Sequence, residues 1–144
     1  MSDPVYLPDV NVLIALSDPE HSGHRAAEMW HSGIGSARFC LCPVTEAGFV
    51  RLRTNPSVGG ESISSAIALL IGITALPNCG HLPIKDSWLS LIQPLTPRLH
   101  GYRQVTDALL LGLAIRNHAV LVTLDRNLKA LAGERYAANL LTLA

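Results

Sequence analysis

Long apolar runs are absent from this chain of 144 residues, and their absence excludes a membrane-spanning helix. The longest apolar stretches, such as residues 108–115, fall far short of the roughly 20 residues that a span needs. The first ten residues also lack a basic segment followed by an apolar run, the pattern of a secretory signal. We therefore expect a cytoplasmic protein.

Cysteine is scarce, and excess charge is missing altogether. The three cysteines, Cys40, Cys42 and Cys79, are odd in number and lack C-x-x-C spacing. We expect them to pack as small hydrophobic side chains. Eleven basic residues balance eleven acidic ones, which leaves no electrostatic basis for tight, indiscriminate nucleic-acid binding. A nucleic-acid substrate would instead depend on local arginines.

Short apolar segments bounded by Pro, Gly, Asn or Asp alternate along the chain and predict strands alternating with helices. This alternation predicts an α/β fold with a parallel sheet covered on both faces. No repeat, linker or low-complexity tract divides the chain, so we expect residues 1–144 to form a single domain. The predicted strands are residues 5–7, 38–41, 119–123 and 139–143; the predicted helices are residues 10–16, 22–31, 44–52, 62–73, 87–92, 107–116 (capped by Thr106, with a start one turn earlier as the alternative) and 126–131; residues 77–83 are a predicted surface loop.

Four acidic residues each adjoin a short apolar segment, where a carboxylate is costly to desolvate. Asp9 and Asp125 follow predicted strands, and Glu46 and Asp107 lie in the first turns of predicted helices. In a parallel sheet these positions meet at the carboxyl ends of the strands, where ligands bind. Taken singly, Asp9 fits a helix cap and Asp125 a turn residue, and the other two fit favourable charges in the first turn of a helix. Converging carboxylates stay ionised most easily around a cation, and an all-oxygen set favours Mg²⁺ or Mn²⁺ over zinc.

Four short segments carry a resemblance to a known family: LPDVNVLI at residues 7–14, PVTE at 43–46, VTDA at 105–108 and LVTLD at 121–125. In this order and spacing they resemble the PIN-domain ribonucleases, and within them the VapC-type toxins of bacterial toxin-antitoxin pairs. The resemblance covers essentially the whole chain. It implies a three-layer α/β/α sandwich with a central parallel sheet.

The resemblance also implies an activity and its partners. The expected protein is a Mg²⁺-dependent endoribonuclease, with Mn²⁺ as the other suitable ion, that hydrolyses RNA phosphodiester bonds. As a toxin it would arrest translation and growth, and a cognate antitoxin would block its acidic pocket. Self-association into a homodimer is implied as well.

The acidic site of the family maps onto this chain residue by residue. Asp9, Glu46, Asp107 and Asp125 match its acidic positions, and we take Asp9 and Asp107 as the principal metal ligands. Glu46 and Asp125 are expected to complete the site directly or through water. The family's usual small polar neighbours, which would orient the carboxylates, match Asn11 and Thr123.

Arginine is the residue best suited to hold the substrate's phosphate, because its guanidinium pairs with phosphate bidentately. We take Arg116 as the first candidate, since it lies on the same predicted helix as Asp107. The RNA target itself depends on such placements, and unpaired RNA is the general expectation. The other arginines considered are Arg51, Arg53, Arg103 and Arg126.

The main alternative is a catalytically idle PIN-like module that binds RNA or a protein partner. The intact acidic set argues against it, whereas tight Mg²⁺-independent RNA binding without cleavage would favour it. One other enzyme fold and one signalling fold also place an aspartate after a strand, but this sequence fits them less well. Haloacid-dehalogenase-like phosphatases use a second acid where Asn11 stands, and receiver domains need a lysine where residues 123–125 stand.

Overall fold

Five short strands form the centre of the protein in a computed structural model that describes residues 3–144. Met1 and Ser2, which the expected single domain of residues 1–144 includes, lie outside the described residues. The strands are β1 (Tyr6–Pro8), β2 (Phe39–Leu41), β3 (Cys79–His81), β4 (Val120–Thr123) and β5 (Leu140–Thr142). They form one sheet in the order β3-β2-β1-β4-β5, and every neighbouring pair is parallel.

Seven α-helices in the described residues cover this sheet. They are α1 (Val10–Ser17), α2 (His24–Gly33), α3 (Pro43–Thr54), α4 (Ile63–Thr74), α5 (Trp88–Ile92), α6 (Val105–Arg116) and α7 (Leu128–Ala132). Leu121 and Val122, adjacent on β4, belong to two separate apolar cores, because successive strand residues point to opposite faces. Helices α5 to α7 bury the core on one face, and α1 to α3 bury the core on the other. The expected three-layer α/β/α sandwich is confirmed.

Local sequence signals set several helix ends close to their predicted positions. The Asp9 carboxylate caps α1, and the Ser62 hydroxyl caps α4, each by accepting a backbone N–H of the first turn. Helix α3 begins at Pro43, which has no N–H to leave unpaired. Helix α7 ends at Ala132 and is followed by Gly133, whose φ of 62° lies in the left-handed region that favours glycine.

The prediction of a loop over residues 77–83 is wrong, because this segment contains β3. The strand pairs with β2 through its main chain, with Phe39 opposite Cys79 and Leu41 opposite His81. Its three residues, Cys-Gly-His, include no β-branched side chain; Cys79 and Gly80 are partly buried and His81 is exposed. An edge strand of this kind carries no apolar pattern that could reveal it.

Two predicted helix starts also differ from the structure. Thr106 does not cap α6, which begins at Val105 directly after a 3₁₀ turn at Tyr102–Gln104. Helix α7 begins at Leu128 rather than residue 126, because Asp125 first forms a turn with its neighbours.

Helix α4 is apolar yet poorly buried. It packs against α3 and β3 and buries only Ala66, whereas Ile63, Ile67 and Ile71 are exposed. No helix within residues 3–144 is long and apolar enough to cross a membrane. Exposed apolar clusters of this kind mark surfaces that partners cover.

Candidate active site

The strand order reverses between β1 and β4, and the candidate site lies at this point. From β1 the sheet extends to β2 and β3 on one side, and to β4 and β5 on the other. In parallel α/β sheets, ligands bind outside the carboxyl ends of the strands at such a reversal. Asp9 follows β1 there, and Asp125 follows β4. Asp107 approaches from the first turn of α6.

Asp9 is the most enclosed of these acids, with only 6% of the residue exposed. Its Oδ1 accepts the backbone N–H of Val12 at 3.0 Å, and its Oδ2 accepts the hydroxyl of Thr123 at 2.6 Å. Burial is the main cause that raises the pKa of Asp9 from 3.8 to about 6. The two hydrogen bonds oppose this rise, and the charges of Asp107 and Asp125 add to it.

Asp107 and Asp125 are partly buried neighbours of Asp9. Burial raises the pKa of Asp107, and the charge of Asp125 raises it further. Asp125 is fixed by a turn in which its Oδ1 accepts the backbone N–H of Asn127 at 2.9 Å. The charges of the three carboxylates therefore interact at one edge of the sheet.

Thr123 links two of the three acids. It is fully buried at the end of β4, where its hydroxyl donates to Asp9 and accepts the backbone N–H of Asp125 at 3.0 Å. A hydroxyl has one donor and two acceptor positions, so both contacts can be made at once. The segments that follow β1 and β4 are thereby held at a fixed separation.

No basic side chain neutralises this cluster in the described part of the chain. The ion pairs found there involve four other acids: Glu28, Glu46, Glu61 and Asp86. Within residues 3–144, no three His, Cys, Asp or Glu side chains converge closely enough to enclose a metal ion. Mg²⁺ does not require such enclosure, because it keeps several waters and takes only one or two carboxylates directly. The unpaired acids therefore fit a hydrated divalent cation.

Glu46 and Asn11 do not join the three acids in the structure. The Oε1 of Glu46 lies 4.0 Å from Nδ1 of His81 on β3. Burial, followed by the nearby Cys40 and then Glu46, raises the pKa of Cys79 on the same strand to about 11. Asn11 is exposed in the first turn of α1. The expected roles of Glu46 and Asn11 stay predictions.

Arg116 lies at the opposite end of α6 from Asp107. Nine residues separate them, which is about 14 Å along a helix axis. The Arg116 guanidinium pairs with Asp86 at 2.9 Å and donates to Oγ of Ser90 at 3.0 Å. These contacts join α6 to the α5 region and hold Arg116 away from Asp107; its expected role at the phosphate stays a prediction.

Two open cavities flank the acids. Thr106 and Asp107 line different cavities, so the first turn of α6 stands between them. The acid-lined cavity, which takes two of the three acids into its wall, has a volume of about 300 Å³ and is lined by Arg103, Gln104, Asp107, Asp125, Asn127, Leu128 and Leu131. The second has a volume of about 460 Å³ and is lined by Val10, Pro43, Val44, Ala47, Gly48, Arg51 and Thr106.

Sequence reasoning missed part of the acid-lined cavity. It treated Arg103 only as one of several arginines, and it overlooked Gln104 and Asn127. The D-x-N spacing of residues 125–127 was a usable signal for Asn127, since an aspartate commonly accepts the N–H two residues on. No comparable pattern marks Gln104.

Comparison with known proteins assigns this arrangement to a family. The PIN domain profile matches residues 6–134. The chain is similar to Ribonuclease VapC38 of Mycobacterium tuberculosis, with 40% identity over 127 residues that cover 88% of this chain and 89% of that relative. Ribonuclease VapC39 of the same organism is 40% identical over 121 residues, covering 81% and 86% respectively. The chain belongs to the PIN-domain family, among the VapC ribonucleases.

A solved PIN-fold neighbour agrees with this assignment. It is a chain of VapBC2 from Rickettsia felis, crystallised with a DNA fragment from its promoter. The TM-score is 0.66, and the match covers 97% of this chain and 99% of that one. At 12% identity this likeness supports the fold alone. The relatives confirm that the chain is a VapC ribonuclease, as the four sequence segments predict.

Replacing Thr123 by Val in this PIN-domain site is expected to lower the rate of RNA cleavage roughly 10- to 100-fold, the usual cost of losing a group that orients a metal ligand. Valine has a similar shape but cannot donate to Asp9 or accept from Asp125. Initial cleavage rates would measure the effect. Thr123→Ser keeps the hydroxyl and should retain most of the rate. An equal loss in both variants would contradict this role of the hydroxyl.

Proposed function

We propose that the chain is a metal-dependent endoribonuclease that acts as the toxin of a toxin-antitoxin pair. It would hydrolyse RNA phosphodiester bonds and thereby arrest translation and growth. The observation that carries the proposal is the cluster of Asp9, Asp107 and Asp125, unpaired by any base within residues 3–144 at the reversal point of the sheet. The relatives named as VapC ribonucleases support the same reaction.

The cluster explains why a cation is needed. Three neighbouring carboxylates repel each other, and they would also repel an incoming phosphate. A bound divalent cation would offset both repulsions, and it would act as a Lewis acid on the charge growing on the phosphate. We assign Mg²⁺, with Mn²⁺ as the other suitable ion. Asp9 and Asp107 would hold it, and Asp125 and Glu46 would complete the site directly or through water.

The protein's own part is to keep these acids charged and fixed. Asp9 must be ionised to bind a cation, yet its burial favours the protonated form. The Thr123 hydroxyl and the Val12 N–H oppose that tendency, because both donate to the carboxylate and lower its pKa. Asn11 is the remaining candidate for a supporting contact. The same two donors also fix the orientation of the Asp9 carboxylate.

We infer two protein partners: a cognate antitoxin and a second copy of this chain. The VapBC2 neighbour is itself a toxin-antitoxin assembly by name. The apolar surface of α4, formed by Ile63, Ile67 and Ile71, supports a partner-covered face. A cytoplasmic location and a single domain over residues 1–144 complete the proposal.

Cleavage of total cellular RNA by purified, antitoxin-free protein tests the proposed reaction. We expect discrete products with Mg²⁺ or Mn²⁺ and none with EDTA, and the product ends would identify the target. Failure of folded protein to cut RNA with either ion would contradict the nuclease and favour the catalytically idle binding module. The same preparation gives the mass in solution, and a monomer at micromolar concentration would contradict self-association.

A further inference from the structure

Tyr102 stands out on the surface beside the active-site cavity. It is 81% exposed, more than any other large apolar side chain in the described part of the chain. It lies in the 3₁₀ turn that immediately precedes α6, five residues before Asp107. A single exposed aromatic residue is ordinary on a protein surface. The residues around Tyr102 nevertheless point to a function for it.

Arg103 joins Tyr102 to the acid-lined cavity. Its side chain lines that cavity together with Asp107 and Asp125. Its guanidinium carbon lies 5.8 Å from the centroid of the Tyr102 ring, and its Nε donates to the Tyr102 hydroxyl at 3.3 Å. No carboxylate within residues 3–144 forms an ion pair with Arg103. The guanidinium therefore remains available for an anion.

The turn that carries both side chains is fixed at each end. The Oε1 of Gln104 accepts the backbone N–H groups of His100 at 2.6 Å and Gly101 at 3.3 Å. On the other side, the indole Nε1 of Trp88 donates to the carbonyl of Val105 at 3.2 Å. A surface held in this way loses little freedom when a ligand binds, and that makes binding tighter.

These features match the needs of single-stranded RNA. Its unpaired bases stack on aromatic rings, and its phosphates pair with guanidinium groups. A chain with formal net charge +0 cannot attract RNA by a broad basic surface, so a local arginine beside the acids has to supply the contact. A double-stranded ligand offers no free base to stack on Tyr102.

We propose that Tyr102 and Arg103 form a nucleotide subsite in which the ring stacks on an unpaired base and the guanidinium binds an adjacent phosphate. The subsite rests on the proposed function, because it names the kind of RNA that the active site takes: a single-stranded segment. It holds the strand with a phosphodiester bond next to Asp9, Asp107 and Asp125. Tyr102 and Arg103 are thus positioning residues for the cleavage reaction.

Equilibrium binding of a short single-stranded RNA with a fluorescent purine analogue tests the subsite. The full-length Asp9→Asn variant serves as the parent, so that the probe is not cut. Adding Tyr102→Ala should weaken binding roughly 5- to 150-fold, the range for one stacked base, and abolish the quenching of the analogue. Tyr102→Phe keeps the ring and should keep both.

Salt dependence tests the contact to phosphate. Arg103→Gln should reduce the slope of log affinity against log salt by about one. Arg135→Gln is the matched control, because residue 135 lies between α7 and β5 at the amino edge of the sheet, opposite the acids. Its slope should equal that of the parent. Duplex RNA of the same sequence should bind independently of Tyr102.

Cleavage of total RNA by chains with an intact Asp9 separates this subsite from the proposed function. Unchanged binding and cutting by Tyr102→Ala and Arg103→Gln would overturn the subsite and leave the nuclease standing. Binding that depends on Tyr102, in a protein that cuts no RNA, would support the subsite and overturn the nuclease. Equal losses in Tyr102→Ala and Tyr102→Phe, with unchanged melting temperatures, would overturn stacking.

Discussion

Asp9→Asn is expected to abolish RNA cleavage while making the metal-free protein more stable at neutral pH. Loss of a group that merely orients a metal ligand costs roughly 10- to 100-fold, so loss of the ligand itself should cost at least about 100-fold. The free energy of unfolding should rise, because the buried charge of Asp9 destabilises the folded state. Asparagine has the same shape and can still accept the Val12 N–H at the start of α1. Its amide nitrogen cannot accept the Thr123 hydroxyl as Oδ2 of Asp9 does, and this loss offsets part of the gain.

The sign of the stability effect follows from the raised pKa of Asp9. Below 3.8 the carboxyl is protonated in both states and costs nothing. Between 3.8 and about 6 the unfolded chain releases the proton while the folded protein retains it, so stability falls as pH rises. Above that window the loss is about 3 kcal/mol. Asp9→Asn removes this loss and should raise the melting temperature at neutral pH by several degrees, up to roughly 10 °C.

Thermal melts of both proteins across pH, with and without Mg²⁺, measure this effect. The difference in melting temperature should vanish below the ordinary carboxyl pKa, and Mg²⁺ should stabilise only the wild type. Asp18→Asn, at the other end of α1, is the matched control and should change stability by no more than about 0.5 kcal/mol. Full activity in Asp9→Asn would refute the ligand assignment.

Gly112→Ala is expected to destabilise the protein by about 3 kcal/mol or more, the upper end of the cost of overpacking a core. Gly112 is buried in α6 where this helix crosses α5. A Cβ atom there would overlap the backbone carbonyl of Leu91, which cannot rotate away as a side chain could. The helices would have to move apart, and α6 carries Asp107 with it. Activity should therefore fall together with stability.

Gly72→Ala provides the contrast for Gly112→Ala. Gly72 also lies within a helix, α4, but a Cβ there meets nothing within 4 Å. Alanine should stabilise this position by up to about 1 kcal/mol, because glycine is the poorer helix former. Urea unfolding midpoints of the two variants should shift in opposite directions. A Gly112→Ala protein as stable as the wild type would contradict the close packing of α5 on α6.

Local patterns predicted the elements that carry the acids, because helix caps, prolines and apolar spacing act over a few residues. They could not predict which acids meet. Asp9 and Asp125 come together through the pairing of β1 with β4, and no local pattern encodes that pairing. The neighbour of Glu46, His81, lies in a strand too short and polar to be recognised. The placement of Arg116 was equally out of reach of a local pattern, because two residues at opposite ends of α6 lie far apart although they share the helix.

The hydrogen bond between Thr123 and Asp9 spans 114 positions of the chain, and this separation has a consequence during translation. Asp9 is synthesised 114 positions before Thr123 in the strand that completes its surroundings. At roughly 5–20 residues per second, the interval is about 6 to 23 seconds. Throughout it the nascent chain lacks a finished active site. An enzyme that attacks RNA therefore gains its complete active site only after β4 has been synthesised.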